Sequence, residues 1–428
     1  MKRLRNAIGS LLITVVAAAT ASAQVGVPGL PQLPLPVTPL PDPVTGTLRT
    51  AQSVPREDLR RLRIRELLRT ERDTVEADPA GEPILRRQLG ALSPTPEALE
   101  RALAAGFTIL SEQSLEGLGL RLVVLQAPEG MSTRRALRRL RNLDPDGSYD
   151  YNHLYLDSGV EASAEQIPAD ATNMPVPGPA SAIRIGLIDT GVDAGHPALA
   201  GANIKMHGCD GRPTPAFHGT AIASLLVGRD AGFEGMLPGA TLYAADVFCG
   251  HVGGSLSLLA VELDWMARER VPVVNISLVG AKSVLLTTLV RVMGERGHLL
   301  VAAVGNDGPG APPLFPAAYP EVVGVTGVDA KERVLPEACR GEQVDFAARG
   351  ADFRAAQIGA GFNDVRGTSF ATPIVAGLLA SAHTTVDRDN AARVLEALAA
   401  VATDLGREGI DTTYGRGLVG APLKPGWE

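Results

Sequence analysis

Short apolar runs recur through the second half of the chain, at Ile183–Ile188, Thr241–Val247, Val271–Ile276, Leu299–Val304 and Val322–Val325. They are too brief for helices and do not alternate with polar residues, so they read as strands buried on both faces. Between them lie longer stretches with helical character: Gly219–Gly228, Leu256–Arg270, Ser283–Gly297 and Ser369–His383. Strand and helix in alternation predict an α/β fold with a doubly wound, mostly parallel sheet. In such folds ligands sit beyond the carboxyl ends of the strands. Asp189, Ser277 and Asn306 fall just there, after the first, third and fourth of those runs.

The pattern before it differs. A strand at Ile84–Leu89 precedes a helix with Thr95 as its N-cap, Pro96 in the first position, Glu97 in the first turn and Gly106 as its stop. The apolar face of this helix is Ala98, Leu99, Ala102 and Leu103. Strands at Phe107–Leu110 and Leu118–Leu125 follow, then a helix from Ser132 or Thr133 to Leu143, then a strand near Tyr149–Leu156. Strand, helix, strand, strand, helix, strand is the split βαβ order, which predicts a small α+β, ferredoxin-like domain over residues 81–158.

Residues 1–23 carry Lys2, Arg3 and Arg5, an apolar run from Ala7 to Ala19, and Ala21-Ser22-Ala23, the pattern of an export signal. Residues 24–80 hold a proline-rich spacer and then a basic amphipathic helix, Asp58–Arg72, whose arginines read as a solvated face. From Val160 to Ala182 the chain is rich in Ala, Pro, Ser and Gly without periodicity, which makes residues 159–180 a linker and a place for maturation cleavage. The last domain is 181–428. With 45% hydrophobic and 20% charged residues the chain is of globular composition, and a net charge of −7 argues against nucleic-acid binding. No apolar run after the first 23 residues is long enough to span a membrane.

Chemistry concentrates in three blocks: Ile188-Asp189-Thr190-Gly191, His218-Gly219-Thr220 and Gly367-Thr368-Ser369-Phe370-Ala371-Thr372-Pro373. They offer an acid, a base and a nucleophile. Ser369 follows a turn and opens an apolar helix, where its backbone N–H can meet a developing oxyanion. Of seven histidines, His218 alone is followed by Gly-Thr and an apolar helix. Asp189 ends an apolar strand, and a carboxylate there needs a partner that His218 can supply. An aspartic dyad needs two carboxylates sharing a site, and Asp-Thr-Gly occurs once in the chain.

The Gly-Thr-Ser-x-Ala-x-Pro block and the order Asp, His, Ser resemble the subtilisin-like serine peptidases over roughly residues 180 to 420. The resemblance implies a serine endopeptidase with Asp189, His218 and Ser369 as its triad and Asn306 as oxyanion-hole donor. It likens the 81–158 domain to a propeptide, so that protein or peptide substrates and the chain's own propeptide, an inhibitor and folding aid, are the expected partners. Ser277, Leu278 and Val279 match the strand that pairs with extended substrate. Val279 and Leu314 stand where the family usually has glycine, which implies a narrow primary pocket taking small residues such as Ala.

The resemblance also sets the strands ending near Cys209 and Cys249 side by side, implying a disulfide between them and leaving Cys339 free. Flanking His207 and His251 leave a four-ligand zinc site as the alternative. No cofactor or catalytic metal is expected; calcium sites are frequent in the family but map onto no residues here. A monomer that is secreted or periplasmic is the expectation. A peptide-binding pseudoprotease and a transpeptidase or macrocyclase on the same fold are the competing functions, the first disfavoured because all four catalytic positions hold competent residues.

Overall fold

The computed structural model describes residues 59–157, 160–161, 182–230, 232–424 and 426–427. The export segment, the proline-rich spacer and all of the linker but residues 160 and 161 lie outside the described residues.

The first part runs α1 (Leu59–Thr70), β1 (Val75–Ala77), β2 (Pro83–Leu92), α2 (Pro96–Ala104), β3 (Thr108–Leu115), β4 (Leu120–Gln126), α3 (Thr133–Leu143), β5 (Ser148–Asp157) and β6 (Val160–Glu161). Its β2-to-β5 order is the one the sequence predicts. Thr95 caps α2 by accepting the N–H of Ala98 at 3.1 Å. Strands β5, β2, β4 and β3 lie in that order, antiparallel, with β1 added beside β2. One face of the sheet closes on α2 and α3 around Leu89, Phe107, Leu125, Leu137 and Leu140.

The second part runs β7 (Arg184–Asp189), β8 (Asn203–Gly208), α4 (Phe217–Val227), β9 (Arg229–Asp230), β10 (Phe233–Glu234), β11 (Thr241–Asp246), β12 (Gly254–Ser255), α5 (Leu256–Arg268), β13 (Val273–Ile276), β14 (Leu278–Val279) and α6 (Val284–Arg296). It continues through β15 (Leu299–Ala303), β16 (Val322–Val328), β17 (Phe346–Arg349), β18 (Ala351–Ala356), β19 (Phe362–Arg366), α7 (Thr368–Ala382) and α8 (Arg388–Ala400). Seven parallel strands are ordered β17-β16-β15-β13-β7-β11-β8. The five predicted strands form the middle of this sheet. Its two edges escape the apolar-run signal: β8, Asn203–Gly208, has no fully buried residue, and in β17 the buried run is only Phe346, Ala347 and Ala348.

Helices α4 and α7 cover one face of the parallel sheet, with Leu225, Phe370 and Ile374 in that core. On the other face α5 and α6 pack with Leu263, Leu289 and Ile276, and Leu92, Leu115, Leu122 and Tyr155 of the first part join the same cluster. The small sheet therefore has a covered outer side. Its attachment is also polar: Leu118 N–H reaches the Asp264 carboxylate at 3.1 Å, and Val284 N–H reaches Asp150 at 2.9 Å.

Candidate active site

Adjacent strands end together at the carboxyl side of the sheet, Ile276 pairing with Ile188 and Asp189 pairing with Asp246, so the loops after them converge there. The turn after β7 is tied to the start of α4 by Thr190, whose hydroxyl accepts the Gly219 N–H at 2.8 Å. A Cβ on Gly219 would fall 2.2 Å from the Thr190 carbonyl oxygen, so glycine is what lets the helix start so close. His218, one residue earlier, is thereby held over Asp189. Its Nδ1 lies 2.7 Å from Asp189 Oδ1, with both residues buried. Thr190 N–H, also 2.7 Å from that oxygen, fixes the carboxylate. Burial is the largest influence on the His218 pKa and pulls it down, but the charge and hydrogen bond of Asp189, helped by Asp157, leave it raised overall.

Gly367, at φ 138°, turns the chain from β19 into α7, and Ser369 is the second residue of that helix. The His218 ring sits 5.5 Å from the ring of Phe370, the residue after Ser369. The Ser369 hydroxyl donates to the Ser277 carbonyl at 3.3 Å. His218 Nε2 is buried and makes no hydrogen bond among the described residues, so attack requires the hydroxyl to turn toward it. Asn306 accepts the Thr368 N–H through Oδ1 at 3.1 Å, which orients the amide and leaves its NH₂ as the donor end. Gly305 N–H in turn reaches Thr368 Oγ1 at 3.2 Å, locking the loop to the helix.

A groove beside these residues holds part of the chain itself. The end of β5 pairs antiparallel with β14 on one side, Leu278 facing Asp157 and Val279 facing Leu156. On the other side it pairs with β12, Gly254 facing Tyr155 and Ser255 facing Leu154. Further along the chain β6 pairs with β19, Val160 facing Arg366. Tyr155 is fully buried in the groove and donates its hydroxyl to the Ala281 carbonyl at 3.0 Å. A Cβ on Gly280 would come within 2.5 Å of that ring, so the pocket depends on this glycine.

Helix α1 lies over the strand. Ile64 and Leu67 pack with Leu154 and Leu156. Arg63 bonds the Asp157 carboxylate at 2.6 Å, and Arg60 bridges Glu82 and Asp307, the residue after Asn306. The solvated arginine face expected of this helix is thus only part of the story. Arg60 is 8% exposed, because a buried guanidinium between two carboxylates meets its desolvation cost. Burial, the largest influence, works against the charge of Arg60, yet the two carboxylates leave its pKa raised.

Of the substrate-strand residues, Leu278 and Val279 line the groove by backbone pairing, while their side chains are buried in the core behind it with Leu314. Leu314 packs on the oxyanion loop: its Cδ1 lies 2.6 Å from where a Gly305 Cβ would stand. The second wall, β12, carries no pattern beyond Gly253-Gly254-Ser255 and was missed in the sequence.

Cys209 and Cys249 follow the parallel neighbours β8 and β11 and are joined as a disulfide, with Cα atoms 5.2 Å apart. His207 does not join them; its Nδ1 turns to buried Glu262 at 2.7 Å and its ring stacks on Trp265. Among the described residues the cluster able to offer metal ligands is Cys209, Asp246 and Cys249, two of whose ligand atoms are spent on each other. Cys339 is free and buried.

The subtilase family model matches residues 180–417. The minor extracellular protease Epr of Bacillus subtilis (strain 168) is 30% identical over 241 residues, covering 55% of this chain and 37% of that protein. Subtilisin E of the same strain is 30% identical over 251 residues, 56% of this chain and 64% of its own. M-protease of Shouchella clausii is 30% identical over 290 residues, 65% of this chain and 74% of its own. The chain thus spans between about a third and two-thirds of the length of the first of these relatives. Fervidolysin of Fervidobacterium pennivorans, whose structure is described as that of a keratinolytic enzyme related to subtilisin, has the same fold at 19% identity, with a TM-score of 0.66 over 81% of this chain and 61% of that one. That coverage is more than residues 180–417 can supply, so the likeness in fold extends into the first part. With the family model matching more than half of its residues, and the family's three blocks brought to one end of a parallel sheet, the chain belongs to the subtilase family of serine peptidases.

Proposed function

We propose that the chain is an exported serine endopeptidase, made as a precursor that cuts itself. In this reading the neutral His218 Nε2 takes the Ser369 proton as Oγ bonds to the scissile carbonyl carbon. Asp189 steadies the imidazolium through Nδ1. Negative charge gathers on the carbonyl oxygen and is met by the Ser369 N–H and the Asn306 amide. Collapse breaks the C–N bond, the amine leaves with the proton from His218, and an acyl-serine ester remains. Water then gives a proton to His218 and its oxygen to the acyl carbon; the ester bond breaks and Ser369 recovers its proton.

The observation that carries the reading is the chain's own backbone in the groove. Leu156 and Asp157 pair with β14, which follows Ser277, and Val160 pairs with β19, which leads into the helix of Ser369. The self-cut is proposed to fall between these two paired stretches, upstream of the linker cleavage expected from composition. The 81–158 domain then serves as inhibitor, and α1 is a second restraint, strapped across the product side of the groove by Arg63 and Arg60.

The test is to make the full chain and its Ser369→Ala variant, and to follow mass, casein hydrolysis and labelling by a fluorophosphonate probe. Expected are labelling and hydrolysis by the unaltered chain alone, with a new N-terminus between residues 158 and 160. Absence of labelling overturns the enzyme reading, and labelling without hydrolysis turns it toward acyl transfer to an amine.

A further inference from the structure

Helix α7 contains Pro373, four residues after Ser369. In an α-helix the carbonyl of residue i accepts the N–H of residue i+4, so the Ser369 carbonyl is owed a donor by residue 373. Proline has none. Ser369 is fully buried, where a backbone carbonyl without a partner is rare. The missing bond is supplied from another element: the Ser277 hydroxyl donates to the Ser369 carbonyl at 3.2 Å.

The donor is itself aimed. Asn275 Nδ2 donates to Ser277 Oγ at 2.8 Å, and with that lone pair engaged the single hydroxyl proton faces Ser369. Asn275, Ser277 and Ser369 are all fully buried, so water does not compete for these bonds. The same two serines meet a second time, the Ser369 hydroxyl resting on the Ser277 carbonyl. Residue 277 thus meets the substrate strand through its neighbours' backbone and α7 through its side chain.

We propose that Ser277 is a positioning residue whose hydroxyl replaces the N–H that Pro373 lacks, with Asn275 directing it. It fixes the first turn of α7 so that the Ser369 hydroxyl and N–H keep their aim at the reacting carbonyl. The proposal rests on Ser369 being the nucleophile.

The experiment compares the full chain with Ser277→Ala, Pro373→Ala and the double variant, reading kcat and KM on a peptide, the rate of fluorophosphonate labelling, and Tm. Ser277→Ala should lower kcat and labelling by roughly tenfold, as expected for a slightly misplaced reacting group, with KM little changed. Pro373→Ala provides an N–H at the proper place, so the double variant should regain most of the loss. Ser277→Cys, with the same shape and a weak donor, should fall between. Equal losses in Ser277→Ala and the double variant, or a loss confined to KM, overturn the proposal. If the unaltered chain neither labels nor cleaves, the peptidase reading has failed; Tm still judges the bond itself, which predicts rescue of Ser277→Ala by Pro373→Ala, whereas additive losses refute it.

Discussion

Arg63 of α1 holds the carboxylate of Asp157, the last residue of β5, at 2.6 Å, and also reaches its carbonyl at 3.3 Å. Through this pair the helix grips the chain where it reaches the active site. Replacing Arg63 by Ala removes a half-exposed ion pair, worth about 0.2–1 kcal/mol, so the fold should persist. The lag between self-cutting and the onset of peptide hydrolysis should shorten by up to about fivefold. Arg65→Ala, on the outward face of the same helix, should leave it unchanged. Equal lags in both variants would remove α1 from the inhibitory machinery.

The proposed base, His218, must be neutral to accept a proton, so protonating it is expected to stop turnover. Its pKa is raised on balance, Asp189 outweighing burial, which moves the loss of activity to higher pH than a free imidazole at about 6.5 would give. A profile of kcat/KM against pH should therefore fall on the acid side with a midpoint above about 6.5. Release of the first part takes away both Asp157, which raises the value, and Arg63, which lowers it. A rate that stays level down to about pH 4 would exclude this imidazole as the base.

Leu314 packs against Gly305 of the oxyanion loop and is buried with Val279. The narrow primary pocket proposed from the family's glycine positions, held here by Val279 and Leu314, should favour Ala over Phe in a peptide library. Leu314→Gly should raise the relative rate for Phe by about tenfold or more, the scale of discrimination by missing methylenes. A strong preference of the unaltered chain for Phe or Tyr there would refute the narrow pocket.

Thiol counting separates the disulfide from a zinc site. The three cysteines divide into the Cys209–Cys249 pair and buried Cys339, whose thiol burial pushes up to about 12. The native protein should show no reactive thiol, the unfolded protein one, and the unfolded and reduced protein all three. Release of the full set by a chelator without reductant is the result a zinc site would give.

Much of this architecture can be read from residue order. The central strands are continuous apolar runs because parallel strands are covered on both faces, and Thr95, Pro96 and Gly106 mark α2 through local chemistry alone. The edge strands are quieter. Asn203–Gly208 is half solvated and has no buried run to betray it. The buried setting of Arg60 was out of reach for another reason, since its partners Glu82 and Asp307 are 22 and 247 residues away. Asp189, His218, Ser369 and Asn306 stood out through their flanking glycines and threonines, and among these the tight approach at Gly219 and the φ of 138° at Gly367 require glycine. The Ser277 hydroxyl did not. Its only sequence trace was Pro373, whose meaning depends on knowing that α7 starts before it.

Strand β5 belongs to two structures at once, hydrogen-bonded to β2 within the small sheet and to β12 and β14 in the groove. Severing the backbone after it would therefore free no short peptide to diffuse away. The whole folded module would have to let go together, much as a cork comes out in one piece, and any partner that unravels its far edge at β3 would loosen the grip at the near one.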